Sequence, residues 1–341
     1  MQFGLFGSAQ AKRGGPDTDS GAGFRDFVEY NVQAEALGYY SSFLVEHHFT
    51  GFGQVSATLN LLTWIGARTS TLRLGTAVMV LPWHNPVLLA EQAATIDLLS
   101  GGRLDLGIGK GYRYNEFAGF CIPMEEAEER FDEALSVLVK AWTSDERWSH
   151  QGKYWQFDNV VVEPPTAQQP HPPLWMGAGS PESIEKVAAR GYNLLLDQFA
   201  SIEQTGERIA IFKAAVESHG RKFDPMSVAV ARSINVVMTA TEREKAIEAR
   251  MAGRQRTERL ASHPSGRFRS SINSYDEGRE GAEAGVLYGT PDEIGERLLT
   301  LRDLGAEYVL INSPGGLATL RRFADEIMPA FAGAPAQPTA V

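Results

Sequence analysis

Cysteine is almost absent from this chain of 341 residues: one occurs, Cys121. That excludes an internal disulfide and any cysteine-based metal site, and it suits a reducing compartment, so a cytoplasmic protein is expected. Positive charge is also scarce, with 32 Lys and Arg against 42 Asp and Glu and a net charge of −10. Beyond short stretches at 254–259 and 267–269 there is no basic cluster, so nucleic acid is not an expected partner. No apolar run approaches membrane-spanning length. The start, Met1 to Phe6, is too short and too quickly polar for a signal peptide. The chain lacks His-Glu-x-x-His, a P-loop and Gly-x-Ser-x-Gly. Among its many carboxylates Glu46 alone is placed in a way that suggests chemistry, so a glycosidase pair is not supported.

What is present is an ordinary globular composition, 43% hydrophobic and 22% charged, arranged as strands alternating with amphipathic helices. Strands are predicted over 2–7, 41–45, 72–81, 104–108, 174–178, 193–196, 228–238 and 308–311. Helices are predicted over 24–37, 57–68, 87–99, 126–142, 182–190, 202–218, 291–304 and 317–331, with one more starting near 242. Continuous apolar strands separated by helices imply a parallel sheet covered on both faces. Eight such units with no linker between two cores predict one domain over 1–331, an α/β fold of the TIM (β/α)8 barrel type, in preference to an open doubly wound sheet. Two departures from the alternation are expected. Residues 147–162 read as a hairpin inserted after the fourth unit, and the polar, Gly-containing stretch 253–289 reads as a long lid loop after the seventh strand. The tail 332–341 is small, Pro-rich and expected to fray.

In a barrel the chemistry gathers at the C-terminal strand ends. There the second unit ends in Glu46-His47-His48-Phe49-Thr50, with Phe52-Gly53 following. Two adjacent histidines on a strand end point to opposite sides, so one imidazole at most looks into a common site. This argues against a metal and leaves two readings open: a proton carrier, or a structural histidine bonded to Glu46. The third unit carries Gly75-Thr76-Ala77-Val78 and leaves through Leu81-Pro82-Trp83-His84-Asn85-Pro86. The fourth ends in Gly107-Ile108-Gly109-Lys110-Gly111-Tyr112. The fifth ends in Gly177-Ala178-Gly179-Ser180, with Ser183 one turn into the helix. Small residues let backbone approach a flat ligand. A helix start at Ser180 offers free N–H groups to an anion, and Lys110 and Arg130 are candidate cationic partners. Each signal alone is also compatible with a tight turn or a solvated charge.

Together these stretches resemble the bacterial luciferase-like flavin monooxygenases. Glu46 to Gly53, Gly75-Thr76-Ala77 with Leu81-Pro82, Ser100-Gly101-Gly102-Arg103 before Gly107-Ile108, Gly289-Thr290-Pro291 and Met328-Pro329 match in order and spacing, over about 1–331. The resemblance implies a barrel holding reduced FMN, supplied by a separate NAD(P)H:flavin reductase. The flavin would react with O2 to a C4a-hydroperoxide that oxygenates a small organic substrate. His47 and His48 would be catalytic. Glu46, Thr76, Ala77, Val78, Gly109, Lys110, Tyr112, Arg130, Gly177, Gly179, Ser180 and Ser183 would contact the cofactor, with a non-proline cis peptide at Ala77–Val78. Lys110 and Gly179 depart from luciferase, which has arginine and glutamate there, and Gly109 stands where luciferase has a reactive cysteine. A homodimer or larger homo-oligomer, packing the second and third helices, is expected. Two alternatives remain: a deazaflavin (F420)-dependent hydride-transfer enzyme of the same superfamily, and a flavin-binding protein without catalysis.

Overall fold

The structure, a computed structural model, describes residues 1–264 and 278–332. Eight parallel strands close into a barrel: β1 (Gln2–Gly7), β2 (Ser41–Leu44), β3 (Arg73–Thr76), β4 (Leu104–Gly109), β5 (Leu174–Gly177), β6 (Asn193–Leu196), β7 (Val228–Val236) and β8 (Tyr308–Asn312). Each pairs with the next in sequence, and β8 returns to β1 through Gln2 opposite Tyr308, so the ring has no edge.

Around it lie α1 (Ala22–Ala36), α2 (Thr58–Arg68), α3 (Pro86–Ser100), α4 (Tyr114–Gly119), α5 (Ala127–Thr143), α6 (Pro181–Arg190), α7 (Ile202–Ser218), α8 (Ala240–Ala261), α9 (Arg279–Ala284), α10 (Pro291–Asp303) and α11 (Gly316–Glu326). Several helices start at once because the residue leaving the strand end is a cap followed by proline. Asn85 accepts from the N–H groups of Val87 and Leu88 ahead of α3, while Ser180-Pro181 and Thr290-Pro291 form capping boxes on α6 and α10. These caps fix short connections at one end of the barrel, where side chains at the strand ends converge. Among the described residues no helix is long and apolar enough to cross a membrane.

The lumen is filled by Phe43, Trp175, Leu195, Ala229, Tyr308 and Leu310, with Phe6, Ala77 and Val78 packed against them. Such filling requires glycine where rings meet backbone: a Cβ on Gly75 would stand 2.4 Å from the Phe43 ring. Lower in the lumen Asp105 takes Arg73 Nε at 2.7 Å and Arg73 Nη2 at 3.0 Å, and Trp175 Nε1 at 3.2 Å. Arg73 and Asp105 pair with each other on this floor. A larger aliphatic layer lies between strands and helices.

Four expectations are corrected. The second strand stops at Leu44, so the two histidines stand on the loop beyond it. The run predicted over 72–81 breaks after Thr76, resumes as a two-residue strand, Met79–Val80, against β4, and ends in a 3₁₀ turn, Leu81–Trp83. The stretch 253–289, assigned to a loop, contains regular structure: α8 runs to Ala261, α9 is Arg279–Ala284, and Leu287–Gly289 pairs with the end of β7. The last helix ends at Glu326, with a 3₁₀ turn Met328–Phe331 behind it. The α8 error has a physical cause. Its buried positions are Ile247, Arg254 and Ala261, so the helix presents arginine where a hydrophobic period would be looked for. The part of the expected lid over 265–277, and the tail beyond 332, lie outside the described residues. Trp148–Gln151 and Gln156–Val160 pair antiparallel between α5 and β5.

Candidate active site at the barrel mouth

The loop after β2 is held at both sides by backbone, with Val45 N–H on Gly7 O at 3.1 Å and His47 N–H on Val55 O at 3.2 Å. From it the adjacent histidines turn to different carboxylates. His48 Nε2 lies 2.8 Å from Glu46 Oε1. The same oxygen takes Trp83 Nε1 at 3.2 Å and lies 2.7 Å from His84 Nε2, while Glu46 Oε2 accepts Val80 N–H at 2.8 Å. Burial alone would raise the Glu46 pKa; the hydrogen bonds from His48 and His84, with the Val80 N–H, prevail and hold it at about 2. Glu46 was expected among the cofactor contacts. Both its oxygens are occupied by the protein, so it ties the β2 loop to the β3 loop instead.

His47 has a partner that sequence spacing does not reveal. Its Nδ1 lies 3.0 Å from Glu116 Oε1 on α4, and the same oxygen accepts the His48 backbone N–H at 2.9 Å. The Glu116 side chain is 2% exposed and that of His47 13% exposed. Burial pushes the His47 imidazole below its ordinary value, Glu116 opposes that push, and the Arg113 charge adds to it. A carboxylate on Nδ1 selects the tautomer that leaves Nε2 as a proton acceptor. Glu116 was missed because it is 69 residues away on a helix of six residues. The expectation that Glu46 is the one carboxylate placed for chemistry is therefore revised.

Beside this pair the chain forms a flat surface. The Ala77–Val78 peptide is cis. Gly109 and Gly177 flank Val78: a Cβ on Gly109 would stand 2.6 Å from Val78 Cγ2, and one on Gly177 3.9 Å from Val78 Cγ1. Gly107, below, could not carry a Cβ at all, since it would fall 1.8 Å from the Thr76 carbonyl oxygen. Thr76 itself is fully buried, its hydroxyl donating to Gly107 O at 2.7 Å. It supports the surface from beneath. Tyr112 meets His47 edge to face at 6.4 Å between ring centroids, and burial raises its hydroxyl above the ordinary range. An aromatic wall closes the side: Trp83 stacks on Phe120 at 5.3 Å, and His48 meets Phe120 at 4.8 Å.

The remaining predicted contacts separate into two groups. Gly179, Ser180 and Ser183 lie together at the start of α6, where the two serines form a reciprocal cap, Ser180 exposed and Ser183 half-buried. Lys110 reaches towards them through a surface chain of charges: Lys110 to Glu128 at 3.5 Å, Glu128 to Lys186 at 3.3 Å, Lys186 to Glu182 at 2.9 Å. Arg130 is held elsewhere, its Nε on Glu126 Oε2 at 2.8 Å and its guanidinium 4.3 Å from the Tyr154 ring centroid. The cation that does stand over this corner is Arg208 on α7, whose Nη2 would be 3.6 Å from a Cβ on Gly179 and which pairs with Asp197 at 3.2 Å. Nothing in the sequence marks Arg208, because α7 and the β5 loop meet only in the closed barrel. Among the described residues no group of three His, Cys, Asp or Glu is placed to hold a metal ion.

A closed parallel barrel with a carboxylate-backed histidine and a flat glycine-flanked surface at its mouth defines an α/β-barrel enzyme. Residues 1–308 match the model of the luciferase-like monooxygenase family, and the chain belongs to that family. The oxygenase component of a flavin-dependent trigonelline monooxygenase of Acinetobacter baylyi is 31% identical over 50% of this chain and 48% of its own length. An F420-dependent glucose-6-phosphate dehydrogenase of Amycolatopsis mediterranei is 26% identical over 90% of this chain and 94% of its own length. The chain spans about half to two thirds of the length of the curated relatives it matches at 31–35% identity. Among solved structures, a monooxygenase of Streptomyces bottropensis superposes with a TM-score of 0.80 at 26% identity, covering 97% of this chain and 100% of that one. The superfamily thus contains flavin monooxygenases and F420-dependent enzymes alike.

Proposed function

We propose that this protein is the oxygenase half of a two-component system, taking reduced FMN from a separate reductase and using O2 to oxygenate a small organic substrate. The observation that carries this reading is the flat surface at Ala77–Val78, with glycines at 109 and 177 beside it and the His47–Glu116 pair next to it. A planar ring needs such a surface without side chains standing on it. The donor set at the α6 start suits a phosphate: the hydroxyls of Ser180 and Ser183, the Glu182 N–H, the cation Arg208 and, at longer range, Lys110. When bound, reduced flavin supplies the electrons that activate O2.

The chain's own residues do the rest. His47, neutral at pH 7 because burial lowers its pKa, accepts a proton at Nε2 and returns it there, while Glu116 holds the ring and its tautomer. Trp83, Phe117 and Phe120 keep water from that side of the mouth. The Lys110 and Arg130 expectations are narrowed: Lys110 is a long-range charge, and Arg130 would have to leave Glu126 and Tyr154 to reach a phosphate.

A second reading has one observation in its favour. The F420-dependent dehydrogenase relative aligns over 90% of this chain, and a hydride-transfer enzyme would use the same histidine without O2. Anaerobic fluorescence titration with reduced FMN, oxidised FMN and F420, followed by O2 uptake, separates the two. Tightest binding of reduced FMN, with O2 uptake on aeration, is the expected result; tightest binding of F420 with no O2 uptake would replace this reading with the second. We also propose a homo-oligomer formed through α2 and α3, on which Trp64, Leu88 and Leu99 stand more than half exposed at 64%, 55% and 72%. Light scattering of Leu99→Asp should show a smaller assembly than the parent chain; a parent chain that is itself monomeric at working concentration would refute it.

A further inference from the structure

We infer that the cavity between Arg113 and helix α8 takes a small organic anion, its charged group on the Arg113 guanidinium and its apolar body against Phe52 and Leu260. The inference rests on the reading above, in which this mouth acts on an organic substrate beside His47, and it names the class of that substrate.

Arg113 is 5% exposed. Its Nε donates to the Tyr112 hydroxyl at 3.2 Å, while its Nη1 is buried with no hydrogen-bond partner. Buried donors are almost always satisfied, and a charged one left open is costlier than a neutral one. This guanidinium keeps an unused donor. It borders a cavity of about 370 Å³, whose other lining residues include Gln10, Gln54 and Arg256, a size suited to a small molecule. Among the described residues no carboxylate lines this cavity. In a chain of net charge −10, two guanidiniums lining one cavity select for negative charge.

The two arginines differ in a useful way. Arg113 is desolvated at the inner end, where a fork of N–H donors matches a carboxylate and is strongest. Arg256 stands at the exposed rim with its guanidinium 5.7 Å from the Phe52 ring centroid, placed to attract an anion on entry. Leu260 and Phe52 supply the apolar wall and the two glutamines neutral donors. Arg113 is near enough to His47 for its charge to act on that imidazole, so an anion paired with Arg113 offsets a charge that acts on the proton carrier. The contrast with the barrel floor is direct: Arg73 meets Asp105 with two hydrogen bonds, whereas Arg113 has its acceptor still to come.

The test uses benzoate and its neutral isostere benzamide, titrated calorimetrically under anaerobic conditions into protein loaded with reduced FMN. Benzoate should bind at least about tenfold more tightly than benzamide, the weight of one charged hydrogen-bonded contact. Arg113→Met should remove that preference and Arg256→Gln should reduce it, with reduced-FMN affinity unchanged in both. If Arg113→Met melts early, the benzoate-to-benzamide ratio is read on Arg256→Gln, at the exposed rim. Equal binding of the two probes by the parent protein, a preference that survives Arg113→Met, or an unaltered ratio in Arg256→Gln where only that variant folds would overturn the inference. So would a loss of FMN but not riboflavin affinity in Arg113→Met, which would assign the guanidinium to the flavin phosphate. Should no reduced FMN bind, the same probe ratio measured on flavin-free protein tests the anion site separately from the cofactor reading.

Discussion

His47 and His48 are neighbours in the chain and opposites in their surroundings. The carboxylate facing His48 is saturated: Glu46 receives two imidazoles, an indole N–H and a backbone N–H. The carboxylate facing His47 receives that imidazole and one backbone N–H. A saturated buried acid fixes the geometry of the two loops it joins, because losing any donor leaves charge uncompensated. A less crowded one holds a single ring by a single nitrogen and leaves the other nitrogen for chemistry. Side by side, the same dipeptide thus meets two different carboxylates, and the proposed function assigns the proton carrier to His47 and a clamping role to His48.

The sharpest way to break this comparison is to exchange the phenotypes. His47→Ala should melt near the parent temperature and still bind reduced FMN, while product formed per flavin oxidised falls by about 10²–10⁴-fold, the span of a lost general acid or base. Unchanged coupling with a lowered melting point would make His47 the structural one.

Glu46→Ala should do the reverse. Urea denaturation should show a loss of about 3–5 kcal/mol, as for one partner removed from a buried ionic cluster. The same residue predicts acid sensitivity. Its pKa is lowered from 4.5 to about 2 in the folded protein, so its contribution is complete above pH 4.5 and is lost as pH falls towards 2. A shift of that size corresponds to roughly 3 kcal/mol. Glu46→Gln should flatten this part of the stability–pH curve; a curve that keeps its slope would place the acid sensitivity elsewhere.

His48→Ala should resemble Glu46→Ala on a smaller scale, destabilising by about 1–3 kcal/mol through the partner left unsatisfied, with coupling in the folded fraction preserved. A collapse of coupling at full stability would restore His48 to the chemistry. The smallest effect is expected from Glu116→Gln. It removes the group that opposes burial, so the His47 pKa falls further, and the acid limb of the rate profile should move to lower pH with a rate loss of about tenfold. A limb that moves upward would contradict the assigned role.

How much of this was legible in the chain depends on range. The alternation of apolar strands with capped helices settled the barrel, since Asn85-Pro86, Ser180-Pro181 and Thr290-Pro291 are local signals for local hydrogen bonds. Glycine at 75, 107 and 109 announced close backbone approach. The order of motifs from Glu46 to Pro329 marked the family, and the family model over 1–308 agrees. The C-terminal part of helix α8, from 253, was assigned to a loop because its buried face carries Arg254 in place of an aliphatic side chain.

The partners were another matter. Glu116 on His47, Arg208 over Gly179 and the open Nη1 of Arg113 are all relations between residues on separate strand–helix units. A sequence names each group but not the distance between them. Burial then decides what each group does: it lowers His47, leaves Glu46 ionised only because four donors converge on it, and makes an unanswered guanidinium costly enough to indicate a ligand. Local patterning determined that a barrel with these residues at its mouth would form. Only closing the ring, which brings chain segments 30 to 70 residues apart within hydrogen-bond reach, decided which carboxylate each histidine meets.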